Sequence, residues 1–333
     1  MSPLALTLGD PAGIGPEIIA KAWAQLRHTG PAFLVIGDRQ ALAAAAPDIA
    51  VTAVASPGQA AELFPQALPV LDLPLDAPAR PGHPSSAAAK SVIAWIETAV
   101  ALTLSGQVAG VVTAPIAKAP LYDAGFAFPG HTEFLGDLTK AAAFEGARGP
   151  VMMLAAPGLR TTLVTVHEPL AKVSATLTRD KVVQAGLITA QALRRDFGIA
   201  APRLAVAGLN PHAGEGGTIG REEVEIIAPA VETLRALGIE VQGPVPADSL
   251  FHEAARARYD AALCMYHDQA LIHVKMLNFW AGVNVTLGLP IVRTSPDHGT
   301  AFDIAGQGLA RPDSLVAALQ MADLIASHRA RTA

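Results

Sequence analysis

Cysteine is almost absent from this sequence: Cys264 is the only one. No internal disulfide can form and no cysteine cluster can hold a metal, which fits a reducing, cytoplasmic compartment. Charge is scarce too. Only 16% of the residues are Asp, Glu, Lys or Arg, the net charge is −5, and no block of like charge occurs. That removes any general electrostatic reason for nucleic-acid or membrane binding. The N-terminal "MSPLALTLGDPAGIGPE" lacks the basic start and long apolar core of a signal peptide. No run reads as the roughly 20 uninterrupted apolar residues of a membrane helix. No G-x-G-x-x-G follows the first apolar run either, so a Rossmann fingerprint is missing.

What remains is apolar: 51% of 333 residues, enough for a large core and beyond the size at which one core usually stays single. Short β-branched runs ("LALTLGD", "AFLVIGD", "VAGVVTAP", "VMMLAAP", "TTLVTVH", "RLAVAGLNPH", "AALCMYHD") alternate with Ala- and Leu-rich helical stretches such as "GPEIIAKAWAQL", "TRDKVVQAGLITAQALRRDFG" and "REEVEIIAPAVETLRALG". This alternation predicts an α/β protein with mostly parallel sheet. Residues 74–84, "PLDAPARPGHP", read as a Pro-rich connector.

Ligands in open α/β sheets collect at the carboxyl ends of strands. Polar residues that follow the apolar runs include Asp10, Asp38, Thr113, His167, Asn210, His212, His267 and Asp268. The three histidines are 45 and 55 residues apart, too far for a local zinc motif, but each sits where a strand emerges. Three neutral imidazoles would leave a position on a divalent ion open for water or substrate. The ordinary alternative is three polar strand ends making routine hydrogen bonds.

"FPGHTEFL" places His131 and Thr132 on a Pro-Gly turn opening a helix, where backbone N–H groups, a hydroxyl and an imidazole suit a phosphate. A plain Thr132 helix cap is the competing reading. Lys275, Asn284 and Arg293 fall within 19 residues and suggest an acidic substrate. Asp248, in "PVPADSLF", is a candidate base, although an Asp-Ser pair more often caps a helix.

The loop "GLNPHAGEGGTIG" (208–220) invites a phosphate-cradle reading through its glycines. Their spacing fails the dinucleotide fingerprint, however, and the helix that follows opens with acids that would repel a pyrophosphate. His212 is the better signal.

Five segments together, "TLGDPAGIGPEI", "GHTEFL", "LNPHAGEGG", "YHDQALIHVK" and "GVNVTLGLPIVRTSPDHGTAFDIAG", resemble the 4-hydroxythreonine-4-phosphate dehydrogenase (PdxA) family of vitamin B6 biosynthesis over nearly the whole chain. The resemblance implies two α/β/α domains of the isocitrate/isopropylmalate dehydrogenase type, the first spanning 1–130 plus about 297–333 and the second about 131–296. It implies a homodimer with its active site in an interdomain cleft at the subunit interface. The expected activity is NAD- or NADP-dependent oxidation of 4-phosphooxy-L-threonine to 2-amino-3-oxo-4-phosphooxybutanoate, which decarboxylates to 3-amino-2-oxopropyl phosphate. His167, His212 and His267 match the family's ligands for zinc, magnesium or cobalt, one of them coming from the partner subunit. His131, Thr132, Lys275, Asn284 and Arg293 match its substrate positions. Lys275 or Asp248 would move the proton, and Asp297, His298 and Gly299 open the cofactor loop. PdxA-like dehydrogenases of threonate phosphates or of a dihydrodiol dicarboxylate are alternatives. A metal-dependent lyase or aldolase is a third.

Overall fold

The computed structural model describes residues 2–128 and 130–332. The described residues form twelve strands: β1 (Leu4–Thr7), β2 (Phe33–Gly37), β3 (Val51–Ala53), β4 (Leu68–Asp72), β5 (Val111–Thr113), β6 (Val151–Ala156), β7 (Leu159–Leu163), β8 (Arg203–Ala207), β9 (Glu240–Val245), β10 (Ala261–Cys264), β11 (Val283–Leu287) and β12 (Arg293–Pro296). Two compact units result, residues 1–143 with 290–327 and residues 144–289 with 328–333.

In the first unit the strand order is β3-β4-β2-β1-β5-β12, with neighbours running parallel. β1 and β2 are continuous apolar runs buried along their whole length, as central parallel strands with helices on both faces must be. The helix Gly15–Leu26 starts with Pro16 in its first turn and buries Ile18, Ile19, Ala22 and Trp23. Its polar edge ties down the returning chain. Lys21 Nζ donates to Glu17 Oε1 (2.7 Å) and to the carbonyls of Gly308 (2.8 Å) and Ala310 (2.7 Å), and Glu17 Oε1 accepts the Ala310 N–H at 2.9 Å.

The stretch Ser86–Leu104 corrects one expectation: it is long and apolar enough, by length and composition, to cross a membrane. Counting uninterrupted apolar residues missed it because Lys90 and Glu97 break the run. Its apolar stripe (Val92, Trp95, Ile96, Ala99, Val100) is buried and packs on β1, β2 and β5, so this is a core helix of the first unit. The helix His131–Thr139 packs on it in turn.

In the second unit the order is β11-β6-β7-β10-β8-β9. β6 pairs antiparallel with both β11 and β7, while β7, β10, β8 and β9 run parallel. β6 and β7 are joined by Pro157-Gly158 alone, with Gly158 at φ 81°. A two-residue link permits only antiparallel neighbours. The sheet is therefore mostly parallel with one inserted hairpin.

Behind that sheet, Asp196 is 1% exposed and receives Arg195 Nε and Nη2 (2.7 and 3.0 Å) and Arg329 Nε and Nη2 (2.8 and 3.0 Å). Burial works against its charge, but the two guanidiniums outweigh it and hold the carboxyl below the ordinary range. A depressed carboxylate stabilises the fold at every pH above its unfolded value and loses that contribution as pH falls through its folded value. Asp196→Asn should cost about 3 kcal/mol near neutrality, because two partly buried cations lose their counter-charge. Denaturant melts from pH 7 to pH 3 should show that gap constant down to about pH 5 and closing below about pH 4. A gap that did not shrink at all between pH 5 and pH 3 would show the carboxyl's charge to be electrostatically idle.

Candidate functional site

β7, β10 and β8 are adjacent and parallel, so their carboxyl ends share one edge of the second unit's sheet. Side chains fasten those ends together. Gln269, 5% exposed, accepts the Met265 N–H (2.7 Å) and donates Nε2 to the Gly208 carbonyl (2.7 Å), joining the exits of β10 and β8. Thr165 Oγ1 donates to the Met265 carbonyl (2.7 Å), joining the exits of β7 and β10. Gln269 was not singled out in the sequence, because an amide inside a helix carries no signal until its partners are known.

The structure brings two of the three histidines together. The rings of His167, on the segment after β7, and His267, the first residue of the helix His267–Leu277, lie 5.9 Å apart at 40°. Two imidazoles on one tetrahedral ion with bonds of about 2.1 Å bring their ring centres to roughly 5 Å, so this pair fits half of a metal site. With the ring proton on Nδ1, His267 donates to Asp268 Oδ1 at 2.7 Å, which leaves Nε2 bare for a ligand bond. A cavity of about 260 Å³ lined by Val166, His167, Leu170, Tyr266 and His267 opens beside the rings. His212 does not complete the pair: among the described residues no group of three or more His, Cys, Asp and Glu side chains is gathered closely enough to hold an ion.

His212 is exposed on a loop of unusual backbone. His212, Ala213, Gly214, Glu215 and Gly216 all take positive φ, from 43° to 77°. Three of these are not glycine, and each left-handed non-glycine residue costs about 1 kcal/mol or more, so the surroundings must hold the loop. The acids after the loop do so. Glu223, 2% exposed, accepts the N–H groups of Leu209 and Asn210 (both 2.7 Å) and the Asn210 amide (2.9 Å). Glu222 takes a second proton of that amide at 2.7 Å. The carboxylates that argue against a pyrophosphate are therefore the anchors of the histidine loop. Gly214 is needed for space as well as φ, since a Cβ there would meet Glu223 Oε2 at 2.5 Å.

In the first unit a different cluster forms. Arg293 opens β12, is 2% exposed, and donates Nη2 to Thr113 Oγ1 at 2.7 Å. Burial lowers its pKa to about 10, opposed by the Glu133 carboxylate, so it stays cationic near neutrality. His131 opens the helix His131–Thr139; its Nε2 is buried without a partner among the described residues. Burial, then Arg293 and Lys118, holds this imidazole well below its usual pKa, hence neutral at pH 7. Thr132 is not the helix cap: Gly130 occupies that position, which leaves the hydroxyl for other work. The expected Pro-Gly turn falls partly on Pro129, which lies outside the described residues. Lys118 and Glu133 escaped notice in the sequence.

The remaining candidates divide between the units. Lys275 is half-buried, its Nζ 5.5 Å from the Phe279 ring centre, and Asn284 on β11 keeps its Oδ1 buried with no partner among the described residues. Asp248 is exposed on the single turn Ala247–Ser249 and caps nothing. Asp38, by contrast, is spent on a cap, accepting the Ala41 N–H at 2.6 Å. Asp297 donates its N–H to Ser314 (3.1 Å), His298 is exposed, and a Cβ on Gly299 would meet nothing within 4 Å, so this segment presents open backbone.

The family profile described as pyridoxal phosphate biosynthetic protein PdxA matches residues 30–322. The chain belongs to the PdxA family. A Caulobacter vibrioides relative named 4-hydroxythreonine-4-phosphate dehydrogenase is 68% identical over 327 residues, 98% of each chain. The crystal structure of 4-hydroxythreonine-4-phosphate dehydrogenase from Klebsiella pneumoniae is 40% identical with a TM-score of 0.85, over 98% of both chains. A terephthalate 1,2-cis-dihydrodiol dehydrogenase from Burkholderia xenovorans LB400 is 31% identical with a TM-score of 0.64, over 97% of this chain and 98% of its own.

In this PdxA-family chain Glu223→Ala should cost about 3 kcal/mol, because buried N–H groups lose a charged acceptor. Amide exchange should accelerate across residues 209–220 while β1 and β2 keep their protection. Unchanged protection in the loop would refute the anchoring role.

Proposed function

We propose that the chain is a metal-dependent 4-hydroxythreonine-4-phosphate dehydrogenase that uses NAD or NADP in the cytoplasm. The observation that carries this reading is the buried Arg293 beside His131 at a helix start, a setting suited to a phosphate and built into the unit that also holds Thr132. The higher identity and TM-score of relatives named for that activity support it over the dihydrodiol enzyme. Cys264, buried and free, suits a reducing compartment.

On this reading Arg293, His131 and Thr132 hold the phosphate. Lys275 and Asn284 would bind other polar groups of the substrate, and the open segment Asp297–Gly299 would hold the cofactor. A bound nicotinamide would supply the acceptor for the C3 hydride, and Lys275 or, through water, Asp248 would take the C3 hydroxyl proton. A divalent ion held by His167, His212 and His267 would supply Lewis-acid stabilisation of the charge that develops on the C3 oxygen. The product is a β-keto acid, so loss of CO₂ sends the bonding electron pair towards the C3 carbonyl.

The metal set is completed by a second copy of the chain, which brings one of the three imidazoles. Supporting this, Leu170 (70% exposed), Ile272 (59%), Met276 (75%), Phe279 (63%) and Trp280 (50%) are large apolar side chains left exposed on the segments that carry His167, His267 and Lys275. Sedimentation should give a dimer, and Met276→Glu with Phe279→Glu should yield monomers that lose the metal.

The decisive assay mixes protein, 4-phosphooxy-threonine and NAD or NADP and follows nicotinamide reduction before and after chelation. Turnover should vanish on chelation and return with zinc, magnesium or cobalt, and Lys275→Met or Asp248→Asn should lower kcat about 10²-fold or more, whichever is the base. Activity that survives complete metal removal would overturn the reading. Turnover without nicotinamide would point instead to a lyase.

A further inference from the structure

Lys118 has no task in the mechanism above. It opens the helix Lys118–Asp123, five residues past β5, in the stretch "TAPIAKAP". Although exposed, it converges on the phosphate candidates. A Cβ placed on Gly130 would lie 3.6 Å from Lys118 Nζ and 3.4 Å from a Glu133 carboxylate oxygen. The absence of a side chain at 130 thus keeps open a niche walled by both groups, at the first turn of the helix that carries His131 and Thr132. His131 feels Lys118 and Arg293 together, and its buried Nε2 has no partner among the described residues.

The charge count points to what enters. Arg293 and Lys118 are cations, His131 is neutral, and Glu133 is the carboxylate that faces them; its Oε2 is also buried without a partner among the described residues. A phosphate monoester is mostly dianionic at pH 7, with a second pKa of about 6. One buried guanidinium balances half of that charge. We infer that Lys118 is a further ligand of the substrate phosphate, supplying the second positive charge while neutral His131 donates a hydrogen bond through Nε2. The inference rests on the reading of a phosphorylated substrate.

The test uses the dimeric, metal-loaded protein with Lys118→Met and Lys118→Arg, exposed positions that leave the core untouched. Lys118→Met should raise KM for 4-phosphooxy-threonine about 10- to 100-fold, the worth of a hydrogen bond to a charged group, with kcat within about threefold. Calorimetric titration with inorganic phosphate should weaken by a similar factor. Lys118→Arg should restore most of both, which a merely structural lysine would not predict. Unchanged KM and phosphate affinity in Lys118→Met would overturn the inference, as would an equal fall in kcat and kcat/KM. If the wild type binds inorganic phosphate, Lys118→Met loses that binding, and neither oxidises 4-phosphooxy-threonine, then Lys118 stands as a phosphate ligand and the assigned substrate falls.

Discussion

The Gln269 carboxamide is the tie on which the second unit's chemistry depends. It accepts from Met265 and donates to Gly208, and thereby locks together the points where β10 and β8 end and their functional segments begin. A buried amide with both ends used is worth about 1 kcal/mol per bond, but removing it would orphan a buried N–H and a buried carbonyl, which costs more. Thr165 extends the tie to β7. Sheet register alone fixes where strands stop. These side chains fix the direction in which the chain leaves, and that direction decides which imidazoles meet.

A second economy governs charge. In a chain where only 16% of residues are charged, ionic groups are placed where burial makes them count. Asp196 bridges two arginines in the second unit; Glu223 spends its charge on backbone N–H groups and sets the histidine loop. Arg293 differs in kind. It is almost fully buried, burial lowers its pKa, and its Nη2 donates to a neutral hydroxyl, Thr113. A cation held that way gains most when an anion arrives, since desolvation has already been met on folding.

The parts of the fold legible in the sequence were the seven β-branched runs, which all became strands, because strands covered on both faces are apolar throughout and leave a compositional trace. The five strands left unread have physical reasons. β3 has three residues and is largely exposed, β4 opens on Leu-Pro, β9 is an edge strand containing Gly243 and Pro244, and β11 and β12 carry Asn284 and Arg293, which read as ligand-binding residues first. In the candidate sites, chemistry was legible and support was not. Histidines after strands and a cation-rich segment stand out as residue types. Gln269, Glu223 and Gly130 act through partners tens of residues away or through space they leave empty, and nothing local marks them. "REEVEIIAPAV" shows the limit well: its acids were rightly weighed against a pyrophosphate, but their partners, the amides of the preceding loop, are visible only in three dimensions.

The separation of the three imidazoles follows from the same physics. His167 and His267 leave neighbouring strands and meet, whereas His212 is carried off by a run of left-handed residues that Glu223 and Gly214 impose. That loop is costly, and a strained conformation persists only where its surroundings over-determine it. Two imidazoles bind a divalent ion weakly and leave it open on several sides. On the proposed function, a third imidazole held away from the pair, on a loop anchored by Glu223, would be offered to a second copy. On the proposed dimer, exposed apolar residues beside the pair would give a second copy a reason to dock, and docking would complete coordination as it covered them. Metal affinity and assembly would then be linked equilibria, each tightening the other by the same factor.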